Sequence, residues 1–409
     1  MDNLFCLLRY SLLNRDSQPV NNSILDELDR KFSGLSAEKW DEILETAKKH
    51  NVLSLLCDTV EGLKCVPEYV VRRTEEYTRK ICQVNYRLFI MTRLIIESLE
   101  REGIKSCVIK GIATAAEYRI PEVRKSGDID ILLADASKIN AAVEVMEQLG
   151  FVKDEKQWTL HHVVMTKGKV IAEVHTRPAE PFDSDSINEY MESLMSDVNT
   201  HMREDEVFGI SFRKLDDAYH AYELLLHMIQ HFLNSGFGLK LLCDWVVFWN
   251  KERDSADCET YLKMINDSGV KKFSDTVTSV CIKYLGLNEN NVGWMQLSDD
   301  ARNGKQSAYT DEFMNEVIRS EEFGKNSSDR VVAVRGTGMS AYFKELHHQM
   351  KNSFPRAGKC FLIWPLLWFI TAFRFIRNNR KVRHVSTLKV LRSAKGRGKL
   401  VEQMELFNR

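Results

Sequence analysis

The sequence predicts an α+β fold, a small mixed sheet flanked by helical regions at both ends of the chain. Three observations carry this. Apolar residues recur at helical spacing up to about Tyr86 and again after Pro181. Between Leu88 and Arg177, short apolar runs alternate with helical pieces. Within that interval, Gly127 leads into Asp128-Ile129-Asp130-Ile131-Leu132-Leu133, whose period of two is that of a strand.

The first 87 residues read as a helical lobe. Ile24, Leu25, Leu28 and Phe32 mark one apolar stripe, and Trp40, Ile43 and Leu44 mark another. A further helix is expected from Leu88 to Glu102, closed at Gly103 by a left-handed cap, followed by a strand at Cys107, Val108 and Ile109. After Lys110 and Gly111, a short helical piece to Tyr118 and the loop from Arg119 to Gly127 lead into a strand from Asp128 to Leu133. Ser137 is placed to cap a helix that ends at Gly150. His162 to Thr166 and Val170 to His175 read as a hairpin across Lys167, Gly168 and Lys169. After Pro181 the pattern is helical again, most clearly from Asp216 to Phe232, while Leu297 to Gln306 and Lys325 to Asp329 read as loops. The expected division is a helical lobe over 1–87, the sheet core over 88–180, a helical region closing the cleft over 181–340, and a basic tail over 341–409.

Composition excludes little by itself. With 409 residues and 44% apolar content the chain can bury a large core in about two or three domains. Its 57 basic and 58 acidic residues nearly cancel, but unevenly along the chain. No Asp or Glu occurs from Leu346 to Val401, where Lys351, Arg356, Lys359, Arg374, Arg377, Arg380, Lys381, Arg383, Lys389, Arg392, Lys395, Arg397 and Lys399 lie. A basic end on an acidic body fits membrane headgroups, nucleic acid or the body itself, and an anionic membrane surface met through residues 361–399 ranks first, with no DNA expected. The apolar run Phe361 to Ile376 contains Trp364 and Trp368 and precedes a basic cluster, as in a helix lying on a membrane; a buried core helix is the competing reading. Pro365 and Arg374 leave the run short of the ~20 residues of a span. The nine cysteines fall in no CxxC pair and read as reduced thiols of a cytoplasmic protein, and no secretory signal is expected at the N-terminus. The expected location is the cytoplasm, with association at the inner face of the membrane.

Chemistry concentrates on the Asp128 strand. Residues two apart on a strand share a face, so Asp128 and Asp130 point one way while Ile129 and Ile131 enter a core. Two such carboxylates repel unless a cation lies between them, and an oxygen-rich site suits Mg²⁺, singly or as a two-metal pair. Gly111 allows close backbone approach to a phosphate, Lys110 can neutralise it, and Glu173 on the later hairpin is the natural third carboxylate. A second D-x-D, Asp183 and Asp185, reads as solvated.

This constellation resembles the nucleotidyltransferase superfamily, and most closely a family of uncharacterised bacterial nucleotidyltransferase-like proteins often described with polysaccharide-biosynthesis genes. The matching pattern is VIKG at Val108 to Gly111, R-x-x-x-DIDIL from Arg124 to Leu132 and EVH at Glu173 to His175. It continues through LLHMIQH at Leu225 to His231, GLKLLCD at Gly238 to Asp244, and a tail with Phe-Pro and Trp-Pro between Phe354 and Trp368. Three departures stand out: Ile112 follows Gly111 where the superfamily carries Ser, sixteen residues separate Gly111 from Asp128, and the third carboxylate is Glu.

The resemblance implies attack by an acceptor hydroxyl on the α-phosphate of a nucleoside triphosphate, with release of pyrophosphate. Asp128 and Asp130 would bind Mg²⁺, and Glu173 would bind a second ion or take the acceptor proton. Lys110 and Arg124 would meet phosphate charge, and Gly111, Gly127, His227 and Asp244 would line the nucleotide cleft. Arg124 has an equal reading as a solvated loop residue. The helix after Asp217 presents His220, Glu223, His227 and His231 on one face. It lacks the Glu of an HExxH peptidase, so the face reads as closing the cleft, with structural zinc as the lesser alternative. His161 and His175 read as packed or exposed. The competing functions are a degenerate, non-catalytic transferase acting as a membrane-docked adaptor, and a toxin-like enzyme that nucleotidylates RNA or protein.

Overall fold

The computed structural model describes residues 1–13, 22–154, 162–182, 184–234, 236–295, 305–321, 361–381 and 400–407, with isolated positions between 343 and 360. The expected loop at Lys325 to Asp329 and Asp183 of the second D-x-D lie outside these residues, while Asp185 is exposed at the start of a helix.

Among the described residues, seven strands form one mixed sheet in the order β3-β4-β5-β2-β1-β7-β6. They are β1 Ser106–Val108, β2 Ile129–Leu133, β3 Val152–Lys153, β4 His162–Lys167, β5 Val170–His175, β6 Met202–Val207 and β7 Ile210–Leu215. At the centre, β2 runs parallel to β5 and antiparallel to β1. The β4–β5 hairpin turns at Gly168, whose φ of +60° is left-handed.

The N-terminal region is helical as its stripes require, with α1 Asp2–Ser11, α2 Asn22–Phe32, α3 Ala37–Lys49 and α4 Cys57–Gly62. The helix expected at Leu88 is the second half of α5, Glu68–Arg101, a single rod of 34 residues that runs through the 87/88 division. Nothing between Pro67 and Gly103 breaks it. It ends at Gly103 (φ +66°), where Ile104 N–H donates to the Leu99 carbonyl at 2.9 Å and satisfies one of the last free carbonyls. Leu88, Phe89, Ile95, Ile96 and Leu99 of this rod cover one face of the sheet, meeting Val108, Ile129, Ile131, Met165 and Val174. The short helix α6 Ile112–Ala115 and, after a 3₁₀ turn in which Asp135, not Ser137, supplies the cap, the helix α7 Ile139–Gln148 join that layer, and α8 Asp185–Met195 follows β5.

The opposite face of the sheet meets a helical body. Cys107, Leu132 and Leu215 share a core with α9 Asp217–Asn234, α10 Leu239–Trp249, α11 Ser255–Asp267 and α12 Lys271–Leu285. Asp216 caps α9 by accepting from Tyr219 N–H at 3.1 Å.

The chain after Pro181 is mostly helical, and one pair of elements departs from that pattern: β6 and β7 form a hairpin, and β7 adds in parallel to β1, so the sheet extends to Leu215. The hairpin was hidden because β6 is MREDEV, an edge strand whose exposed side chains are charged, so its alternation gives no apolar signal. Its docking is fixed by buried Glu117, which receives Lys214 of β7 at 2.8 Å, Arg253 at 2.7 Å and Lys251 at 3.2 Å. Those three cations hold the Glu117 carboxyl well below the usual range against the opposing effect of burial.

Candidate active site

Strand parity puts Asp130, Glu173 and His175 on the sheet face that looks toward α9. Ile129, Ile131, Ala172 and Val174 enter the opposite core, so the polar residues between them must turn the other way. Asp130 and Glu173 are direct partners in the β2–β5 ladder. Asp130 is 1% exposed, and its Oδ1 accepts from Lys110 Nζ and from His175 Nε2, each at 3.0 Å. His175 Nε2 also lies 3.4 Å from Glu173 Oε2. Asp130 Oδ2 is buried and has no hydrogen-bond partner among the described residues.

A buried carboxylate oxygen left bare is costly unless a cation takes it. The donor atoms of Asp130, Glu173 and His175 lie within 4.8 Å of one another, close enough to share one ion. The residues therefore fit a divalent cation. His175 is engaged with Oδ1, so it steadies Asp130 from one side and leaves Oδ2 open, the relation that commonly orients a metal-binding carboxylate. Burial opposes ionisation of Asp130, but Lys110 and His175 outweigh it and hold its carboxyl below the usual range. Burial and the Lys110 charge oppose protonation of His175, but its bonds to Asp130 and Glu173 outweigh them and raise its pKa.

A family model described as an uncharacterised nucleotidyltransferase matches residues 36–286. The chain belongs to that family. No curated protein and no solved structure matches it.

In this nucleotidyltransferase-family chain, Asp128 stands one residue before β2, half-buried and outside the Asp130 donor group. The negative charge of Asp130, followed by burial, pushes the Asp128 carboxyl up to about 6, so the two carboxylates feel each other as adjacent acids do. Gly111 takes φ +55° and ψ −114°, and a Cβ there would come within 3.3 Å of the Asp128 carbonyl oxygen. The glycine is thus needed to let the turn after β1 lie against the start of β2. Gly127 is exposed with open space around it.

Arg124 is not a solvated loop residue. It is buried, with Nε and Nη2 on the two oxygens of Asp244 at 2.7 and 2.8 Å. Tyr118 donates to the same Asp244 at 2.7 Å, and Asn85 of α5 grips the carbonyls of Glu122 and Arg124 at 2.6 and 2.8 Å. Arg124 and Asp244 therefore form a strut that ties the loop before β2 to α10.

On α9, His227 and His231 meet edge to face with ring centroids 4.5 Å apart, and burial lowers both of their pKa values, that of His231 to about 3. His220 stacks on Phe248. These residues and Glu223 form no cluster of metal donors among the described residues, where the group found is Asp130, Glu173 and His175. Glu223 is 1% exposed, and among the described residues neither of its oxygens has a hydrogen-bond partner. Its carboxyl is pushed up to about 8 by burial, with Lys110, Asp130 and His175 the nearest charges felt.

Three residues gained a place here that the sequence did not assign. His175 was legible, since it lies two positions beyond Glu173 on one strand and must share its face. Lys240 sits one helical turn before Asp244, donates to the Lys125 carbonyl at 3.5 Å, and acts electrostatically on Asp128, His227 and His231. Glu223 belonged to the recognised polar face of α9, but nothing in its spacing told which member would be buried within the electrostatic reach of Lys110.

Proposed function

We propose that the chain moves a nucleoside monophosphate from a nucleoside triphosphate to an acceptor hydroxyl, with Asp128, Asp130 and Glu173 as the acids that hold Mg²⁺. The observation that carries this is the bare, buried Asp130 Oδ2 beside Glu173 in a chain of the nucleotidyltransferase family. Bound there, one or two Mg²⁺ ions would supply charge neutralisation at the phosphates and acidify the acceptor hydroxyl. Lys110 keeps Asp130 ionised and adds a fixed positive charge at the end of β1. Lys240, acting from α10 on Asp128, supplies a second cation for the triphosphate. Asp128 and Glu173 are the half-buried acids of the group and are therefore the ones open to the acceptor proton. Arg124 serves by holding the loop, and through it the start of β2, in place; its charge is spent on Asp244. His227, Gly111 and Gly127 line the approach from α9 and from the two turns.

The family resemblance leaves the acceptor open; its association with surface-polysaccharide biosynthesis makes a glycan hydroxyl, reached in the cytoplasm or at the inner face of the membrane, the first arm of an acceptor screen, with hydroxyls of RNA or protein as the other arms. Calorimetry with Mg²⁺ and each nucleoside triphosphate tests the reading directly. The wild type is expected to bind in a Mg²⁺-dependent manner and Asp130→Asn to lose that dependence; equal Mg²⁺-dependent binding by both would overturn it. Ile112 at the superfamily's serine position favours a second reading, a degenerate transferase kept as an adaptor. Tight nucleotide binding with no pyrophosphate released over the full acceptor screen would select it.

A further inference from the structure

Among the described side chains of the helix Trp364–Lys381, one side is packed and the other is exposed. Leu367 and Thr371 are buried on that side, and Trp368 Nε1 donates to His347 Nδ1 at 3.1 Å. The other side carries Leu362, Leu366, Phe369 and Phe373, at steps of four, three and four, which makes one stripe. These residues, with Phe361 beside them, are between 56% and 74% exposed. Scattered apolar side chains on a surface need no explanation, but a stripe of four with a fifth beside it, running from a 3₁₀ turn into the helix, does.

The surrounding chain says what covers them. Arg374 is exposed next to Phe373, Arg377, Arg380 and Lys381 close the helix, and no acidic residue occurs from Leu346 to Val401. A second copy of this chain would bring the same cations against them and be repelled. A nucleic acid would meet the cations and leave the phenylalanines in water. An anionic lipid surface satisfies both at once, with acyl chains for the stripe and phosphates for the Lys and Arg. Among the described residues no helix is long and apolar enough to cross a membrane, so the helix can lie in the surface but not span it.

We propose that the segment Phe361–Lys381 docks the chain on the surface of a membrane that contains anionic lipids, with Leu362, Leu366, Phe369 and Phe373 entering the headgroup boundary. The inference stands apart from the nucleotide chemistry and its test uses none. The full chain is floated with vesicles of phosphatidylcholine alone and of phosphatidylcholine with phosphatidylglycerol. It should rise with the second and not the first, less so as salt is added. The pair Leu366→Glu with Phe369→Glu should weaken partitioning by about tenfold or more. A second pair, Leu362→Gln with Phe373→Gln, strips the two ends of the stripe and should do the same, so that a folding defect in one pair leaves the other to decide; circular dichroism and melting identify which pair is folded. Equal flotation with both vesicle types, absence of flotation, or folded variants that float like the wild type would overturn the proposal. So would a dimer in solution that either pair converts to monomer, because the stripe would then be a contact between copies.

Discussion

Arg124 and Asp244, 120 residues apart in the chain, close on each other with two parallel hydrogen bonds inside the protein. Both side chains are almost fully enclosed, and Tyr118 and Ser126 take up remaining positions on the pair. The bond joins the loop that launches β2 to α10. Removing one member leaves a buried charge unmatched, at a cost of about 3–5 kcal/mol. Asp244→Ala is therefore expected to lower the urea midpoint by that much in free energy. Arg124→Lys should recover only part of it, since a single ammonium cannot reproduce the fork. An Asp244→Ala protein as stable as the wild type would refute the strut.

His175 should matter to cation binding without contacting the ion first. It holds Asp130 Oδ1 while Oδ2 stays open. His175→Ala is expected to weaken Mn²⁺ or Mg²⁺ binding by about 10–100-fold with the fold kept, as loss of an orienting partner does elsewhere. Titration calorimetry reads this; an unchanged dissociation constant would show that the carboxylate needs no support.

Stability should fall with rising pH because of Glu223. Burial pushes its carboxyl up to about 8, with Lys110 opposing, so the folded chain keeps a proton that the unfolded chain has lost above its ordinary pKa of about 4.3. The folded state binds more protons across that window, so this contribution is complete at the acidic end and disappears as pH climbs through about 8. Glu223→Gln stays neutral throughout. Its melting temperature should match the wild type near pH 4, exceed it increasingly up to about pH 8 and level off beyond; a constant difference across the range would remove Glu223 as the source.

Gly111→Ala should damage both stability and site. The φ of +55° disfavours an L side chain, and the new methyl would press on the Asp128 carbonyl oxygen. The strain is about 1–2 kcal/mol, visible in denaturant melts, and it should be accompanied by weaker nucleotide binding because Asp128 must shift. Gly127→Ala, with open space around it, is the control and should be close to neutral.

Much of the site was written in local pattern. A period of two on β2 and β5 placed Asp130 and Glu173 on one face, because a pleated strand leaves its side chains no other choice. The left-handed ends at Gly103 and Gly150, the turn at Gly168 and the cap at Asp216 were legible for the same reason: backbone geometry at those points is decided within a few residues. The charge asymmetry of the C-terminal segment was likewise plain in the order of residues alone.

Only tertiary structure decided which distant groups would meet. It made one rod of α5 across an expected boundary, and it recruited β6 and β7 to the sheet through β1 and buried Glu117. It also turned Arg124 from a phosphate candidate into a partner for Asp244, and raised His175 from a packed residue to a support for Asp130. Local rules act over a turn of helix or a pair of strand positions. An ion pair between residues 124 and 244 depends on how whole layers stack, and that is set by the shared burial of many apolar side chains, which no single motif contains.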